Sequence, residues 1–165
     1  MSSTVRHAIV GAGVLVIATA GVAAAVASLG LAPVAADASP SGLEARLMPA
    51  VLRAAIARRA ASEVAPEIHD GGGAPSAEDL AAGAEIYDGA CARCHGKIGG
   101  GASALGAAFY PPAPPLPGHR TRFSRAELFT LVKHGVRMTG MPAWGGLLSD
   151  RDIARVAAVV ARFGD

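Results

Sequence analysis

The chain has 165 residues, room for one ordinary domain plus extra segments. Its formal net charge of +2 excludes the strongly basic balance of a nucleic-acid binder. Aromatic residues are only 4%, few for a small core that must stand without a staple or cofactor, and the 52% hydrophobic share owes much to alanine.

Residues 1–36 come first. Arg6 and His7 precede 29 residues without a charge, Ala8 to Ala36. As a helix, that run spans about 43 Å at 1.5 Å per residue, against about 30 Å for a bilayer core. The apolar region of a cleaved signal is shorter, about 7–15 residues. A single-pass membrane anchor is therefore expected, with a removed signal peptide as the alternative, because Val34-Ala35-Ala36 reads as a small-residue cleavage site. Arg6 on one side and Arg46 and Arg53 beyond the other end give only a faint positive-inside signal.

Residues 37–75 read as a linker. Ser39-Pro40-Ser41-Gly42 opens it and Asp70-Gly71-Gly72-Gly73-Ala74-Pro75 closes it, both turn compositions. Between them Leu47, Met48, Val51, Leu52, Ala55 and Ile56 recur at helical spacing. Proline is tolerated near a helix start, so Pro49 predicts an amphipathic helix from there to about Ser62. Arg53, Arg58 and Arg59 make it basic. It would lie on a membrane surface, or pack on the following domain or a partner subunit.

Residues 76–165 carry the chemistry. Ser76 with Asp79, Ser124 with Glu127 and Ser149 with Asp152 each mark a helix start, and Gly135 a helix stop. The first helix runs through Tyr87 toward Cys91-Ala92-Arg93-Cys94-His95. C-x-x-C-H is the attachment signal for c-type haem: two thiols reach the two vinyl groups, and the adjacent imidazole reaches the iron. A zinc site would need a second Cys or His pair at short spacing, and His119 and His134 are unpaired. A thioredoxin-like redox pair would follow a strand, and no strand pattern surrounds Cys91. The Gly- and Pro-rich loop from Gly99 to Gly118 excludes regular helix over Pro111 to Pro117.

Helix, C-x-x-C-H, proline loop, helix, Met141-Pro142 and closing helix together resemble a class I cytochrome c over residues 76–165. Lys133-His134-Gly135-Val136-Arg137-Met138-Thr139-Gly140-Met141-Pro142-Ala143-Trp144 resembles membrane-anchored bacterial monohaem members. The resemblance implies an all-α fold around one haem c bound through Cys91 and Cys94, after a transmembrane helix. It implies His95 and Met141 as axial iron ligands and a proline carbonyl accepting from His95. Pro114 fits that role, with Pro112 and Pro115 as other registers. Gly83 and Tyr87 resemble the family's contact between terminal helices, and Trp144 would pack near the porphyrin.

Met138 reads as pocket lining, His134 as a solvated or capping residue, and His119 as a loop histidine. Arg120, Arg122, Arg125, Lys133 and Arg137 would form a basic rim for a redox partner, or an ordinary solvated surface. The family attaches its haem outside the bacterial cytoplasm, so the domain would be periplasmic on the inner membrane. The implied function is single-electron transfer between redox proteins of a respiratory or dehydrogenase chain, not enzymatic catalysis. The alternatives are a haem-bearing subunit of a larger oxidoreductase, or a haem enzyme or sensor with an open sixth site.

Overall fold

The computed structural model describes residues 2–32, 34–67, 74–119 and 121–163. The chain separates into two compact units, residues 1–35 and 36–165. No strand occurs among the described residues, and the fold is all-helical.

The first unit is one helix, α1 (Ser3–Ser28), capped by Ser2, whose hydroxyl accepts from the Val5 amide. Apolar side chains cover it all round and none is buried. Its best 18-residue stretch has a mean hydropathy of 2.4, long and apolar enough to cross a bilayer. A signal sequence near an N-terminus passes the same test.

The second unit opens with α2 (Gly42–Ala60). This helix begins seven residues before Pro49, correcting the start expected from the sequence. Ser41 caps it, accepting from Glu44 N at 3.2 Å. Pro49 forfeits one backbone donor, but the cap and the run Leu43 to Met48, rich in helix formers, carry the helix through it.

Next come α3 (Ala77–Ile86), α4 (Ala92–His95), α5 (Ala104–Ala107), α6 (Arg125–His134) and α7 (Asp150–Val160). Ser76, Ser124 and Ser149 each accept from the amide three residues on, as their sequence signatures predict. At Ser124 the box is complete, because Glu127 also accepts from the Ser124 amide at 2.8 Å.

Three helix pairings make the core: α3 on α7, α6 on α7 and α2 on α6. Tyr87, Phe129, Ile153 and Val156 are fully buried among them. The α3–α7 crossing turns on Gly83, where a β-carbon would lie 2.5 Å from the Arg155 carbonyl oxygen. Asp79 locks the same pair: one carboxylate oxygen accepts from Ser76 Oγ at 2.8 Å, the other from Arg155 Nε at 3.0 Å.

The pairing of α2 with α6 shows that one face of this segment packs on the following domain. Ile56 is buried there. Beyond the helix end, Glu63 accepts from Thr130 Oγ1 at 3.0 Å and from His134 Nε2 at 3.1 Å, and pairs with Lys133 at 3.4 Å. The Arg59 guanidinium, which can only donate, sits 3.2 Å from His134 Nδ1. That leaves the His134 proton on Nε2, facing Glu63. His134 is therefore a clamp between two segments, not the solvated or capping residue expected. Burial pushes the Glu63 carboxyl up, but the hydrogen bonds from His134 and Thr130 outweigh it and hold it below its usual value.

Two substitutions test the α3–α7 crossing. Gly83→Ala gains about 1 kcal/mol of helix preference, which the backbone clash outweighs. A net loss of about 2 kcal/mol in denaturant unfolding is expected. Asp79 is held below its usual carboxyl range by the Ser76 hydrogen bond first and Arg155 next. A lowered folded value stabilises above the unfolded carboxyl range near 3.8, and that stability is lost as pH falls through the folded value. Thermal melts from neutral to acid pH should therefore show a steeper acid limb for the native chain than for Asp79→Asn, and a lower neutral-pH midpoint for the variant.

Candidate functional site

The end of α3 does not run straight into the C-x-x-C-H segment. A π turn, Tyr87–Cys91, intervenes before α4. A π turn holds an extra residue, so Ala92 to His95 beyond it are rotated by about 100° relative to a continuous α-helix. Tyr87 is fully buried, and its hydroxyl donates to the Gly96 carbonyl at 2.9 Å. Burial, the largest cause, pushes the Tyr87 phenol well above its usual range, so it remains a neutral donor. Its ring meets Phe163 edge-on at 5.1 Å. Gly96, at φ +91°, turns the chain out of α4, and a β-carbon there would lie 2.5 Å from the Gly101 carbonyl oxygen.

Gly106 in α5 presses so closely on the Cys94 carbonyl that no β-carbon fits. The Gly106 carbonyl in turn accepts from Ala113 N at 2.9 Å, drawing the proline loop in. Leu116 N donates to the His95 carbonyl at 3.1 Å. His95 Nδ1 lies 2.8 Å from the Pro114 carbonyl oxygen. A carbonyl can only accept, so Nδ1 carries the proton and Nε2 is left with its lone pair free.

The facing wall follows α6. Gly135, at φ +63°, ends that helix. Val136 N donates to the Met141 carbonyl at 3.2 Å, closing a short loop. Thr139 braces it from inside: its hydroxyl donates to the Val136 carbonyl at 2.8 Å and accepts from Met141 N at 3.1 Å. Met138, at φ +59°, is 90% exposed at the loop tip, correcting the expectation that it lines the pocket. The positive φ at a non-glycine residue turns its side chain outward while Met141 stays half-buried.

These walls enclose a largely apolar cavity of about 530 Å³. Cys91, Cys94, His95, Pro114 and Met141 all line it, as do Trp144 and His119. Pro49, Leu52 and Arg53 reach it from α2, a contribution not foreseen from the sequence. The shared helical face of Leu52 and Ile56 was the one available signal. Burial, then the neighbouring Cys94, pushes the Cys91 thiol up to about 11. That is the reverse of the depressed thiol a redox-active pair needs. Among the described residues, no group of three or more His, Cys, Asp or Glu side chains is placed to hold a bare metal ion.

Two thiols three residues apart, an imidazole with one nitrogen committed and one free, and apolar walls fit a flat porphyrin. On an all-helical scaffold they define a c-type cytochrome domain. Residues 78–159 match the family described as "Cytochrome C oxidase, cbb3-type, subunit III". The domain belongs to the class I monohaem cytochromes c, electron carriers with covalently bound haem c and its iron. No curated protein and no solved structure matches the chain. The apolar N-terminal helix fits a membrane anchor. The matched stretch starts within α3, so α2 lies outside it.

Thr139→Val should remove both braces of the Met141 loop, costing about 2 kcal/mol in denaturant unfolding. Amide exchange should rise at Val136 and Met141 and stay unchanged in α3.

Proposed function

We propose that this protein is a periplasm-facing monohaem cytochrome that passes single electrons between redox proteins of a respiratory or dehydrogenase chain. His95 and Met141 would be its axial ligands, Cys91 and Cys94 its thioether attachments, and Pro114 the partner orienting His95. The observation that carries the reading is the placement of His95 and Met141 on one cavity, with the free Nε2 of His95 fixed by the Pro114 contact. Haem c supplies an iron that cycles between ferric and ferrous states without binding substrate when both axial positions are filled.

The chain's own residues do the rest. Pro114 makes His95 a stronger and better-oriented donor by accepting its Nδ1 proton. Thr139 holds the Met141 backbone at a set distance from Val136. A thioether is soft and raises the potential of haem iron, as suits a carrier. Leu116, Leu128, Val132 and Trp144 keep the cavity apolar. With His95 and Met141 both holding the iron, no position would remain for an enzyme's substrate.

Arg122, Arg125 and Arg137 are exposed and available to steer toward an acidic partner. Lys133 is not part of that rim, since its ammonium pairs with Asp150 at 2.8 Å and with Glu63. Arg120 lies outside the described residues. Thioether attachment outside the bacterial cytoplasm and the apolar α1 support a periplasmic domain anchored in the inner membrane.

The description of the matching family favours a second reading, a haem-bearing subunit of a larger oxidoreductase. Recovery of stoichiometric partners from mild detergent would support it, and recovery of a lone chain would favour the free carrier.

Met141→Ala tests the ligation. The oxidised protein should lose the weak far-red band of methionine-ligated ferric haem, the potential should fall, and the reduced protein should bind carbon monoxide. An unchanged band and potential would show that Met141 is not the ligand.

A further inference from the structure

α2 has two faces, and the domain uses only one. Ile56 is 6% exposed, and Leu52 is half-buried on the cavity. On the opposite side Leu43, Leu47 and Val51 recur every four residues, a single stripe of the helix. They are 74%, 49% and 50% exposed. Ala50, Ala54 and Ala57 continue that side and are exposed as well. Arg46 borders the stripe, and Arg58 closes its C-terminal end. Within α2, four arginines stand against a single acid, Glu44.

α2 is apolar on two sides: one side is fixed to the domain, and the exposed stripe edged by arginines has the composition that suits a lipid interface. Chain connectivity points the same way. Thirteen residues, 29–41, separate the end of α1 from the start of α2, a reach of at most about 45 Å. A chain anchored by α1 keeps α2 within that distance of the bilayer, and the excess positive charge suits anionic headgroups.

We propose that the Leu43–Leu47–Val51 face of α2 rests in the headgroup layer of the membrane that α1 enters, with Arg46 and Arg58 on anionic lipid. The proposal rests on α1 being an uncleaved anchor and deepens the electron-carrier reading. Pro49, Leu52 and Arg53 line the cavity from the other side of the same helix. One helix thickness, about 10 Å, then separates lipid from the haem pocket. The domain would be held in one orientation, suited to a partner in the same membrane rather than to one approaching freely from solution.

The test uses the full-length holoprotein, in which haem attachment occupies both native cysteines. Leu47→Cys, Val51→Cys and, as a solvent reference, Leu147→Cys each introduce one free thiol; Leu147 is 72% exposed. Each is spin-labelled and reconstituted in phosphatidylcholine vesicles with and without phosphatidylglycerol. Labels at 47 and 51 should become several-fold more accessible to oxygen and less accessible to a water-soluble nickel chelate than the label at 147. Phosphatidylglycerol should strengthen the effect. Labels at 47 and 51 as open to nickel as the reference would overturn the proposal. Exclusion of both reagents would overturn it too, because it reports cover by protein, whether a second copy or another subunit. The far-red band of each labelled protein reads the axial ligation separately, so failure of the lipid contact and failure of the carrier assignment are distinguishable.

Discussion

Where α3 crosses α7, the Arg155 carbonyl comes so close to Gly83 that nothing larger than hydrogen can stand there. That approach draws two helices together from opposite ends of the haem domain, and Asp79 locks it through Ser76 and Arg155. One turn further on, Tyr87 is sealed by Phe163 and reaches Gly96. The crossing therefore sets where the π turn emerges, and the π turn sets where Cys91, Cys94 and His95 face. α6 packs on α7 and delivers the opposite wall, so both sides of the pocket are referenced to one closing helix.

The haem domain was legible in the sequence because its signals are local and chemical. Ser76, Ser124 and Ser149 announce helix starts through hydrogen bonds that span three residues, and the structure has each of them. Cys91, Cys94 and His95 stand at a spacing set by the fixed dimensions of the cofactor that the motif signals. The close approach at Gly83 came from resemblance alone, since a glycine in a helix does not say what it faces.

Contacts between distant segments were not legible in the same way. Pro49 suggests a helix start, yet capping at Ser41 outweighs one missing donor. His134 sits near a helix end, where a solvated histidine is the simplest expectation. Its partners Arg59 and Glu63 are about seventy residues away, and no local pattern announces them. Met138 reads from its composition as pocket lining, and the backbone at Met138 instead turns it out while Met141 stays on the cavity. Lys133 looked like part of a free basic rim until Asp150 and Glu63 met it.

The wall opposite α4 has a consequence for how the pocket comes together. Five of the seven residues from Pro111 to Pro117 are prolines. Their rings restrict the unfolded chain almost as much as the folded one, so ordering this stretch costs little conformational entropy. They also present carbonyls without amide hydrogens, leaving few donors to satisfy while the pocket is open. Such a segment needs little ordering to hold the Pro114 carbonyl against His95, so the orientation of that imidazole rests on a wall that is stiff by composition.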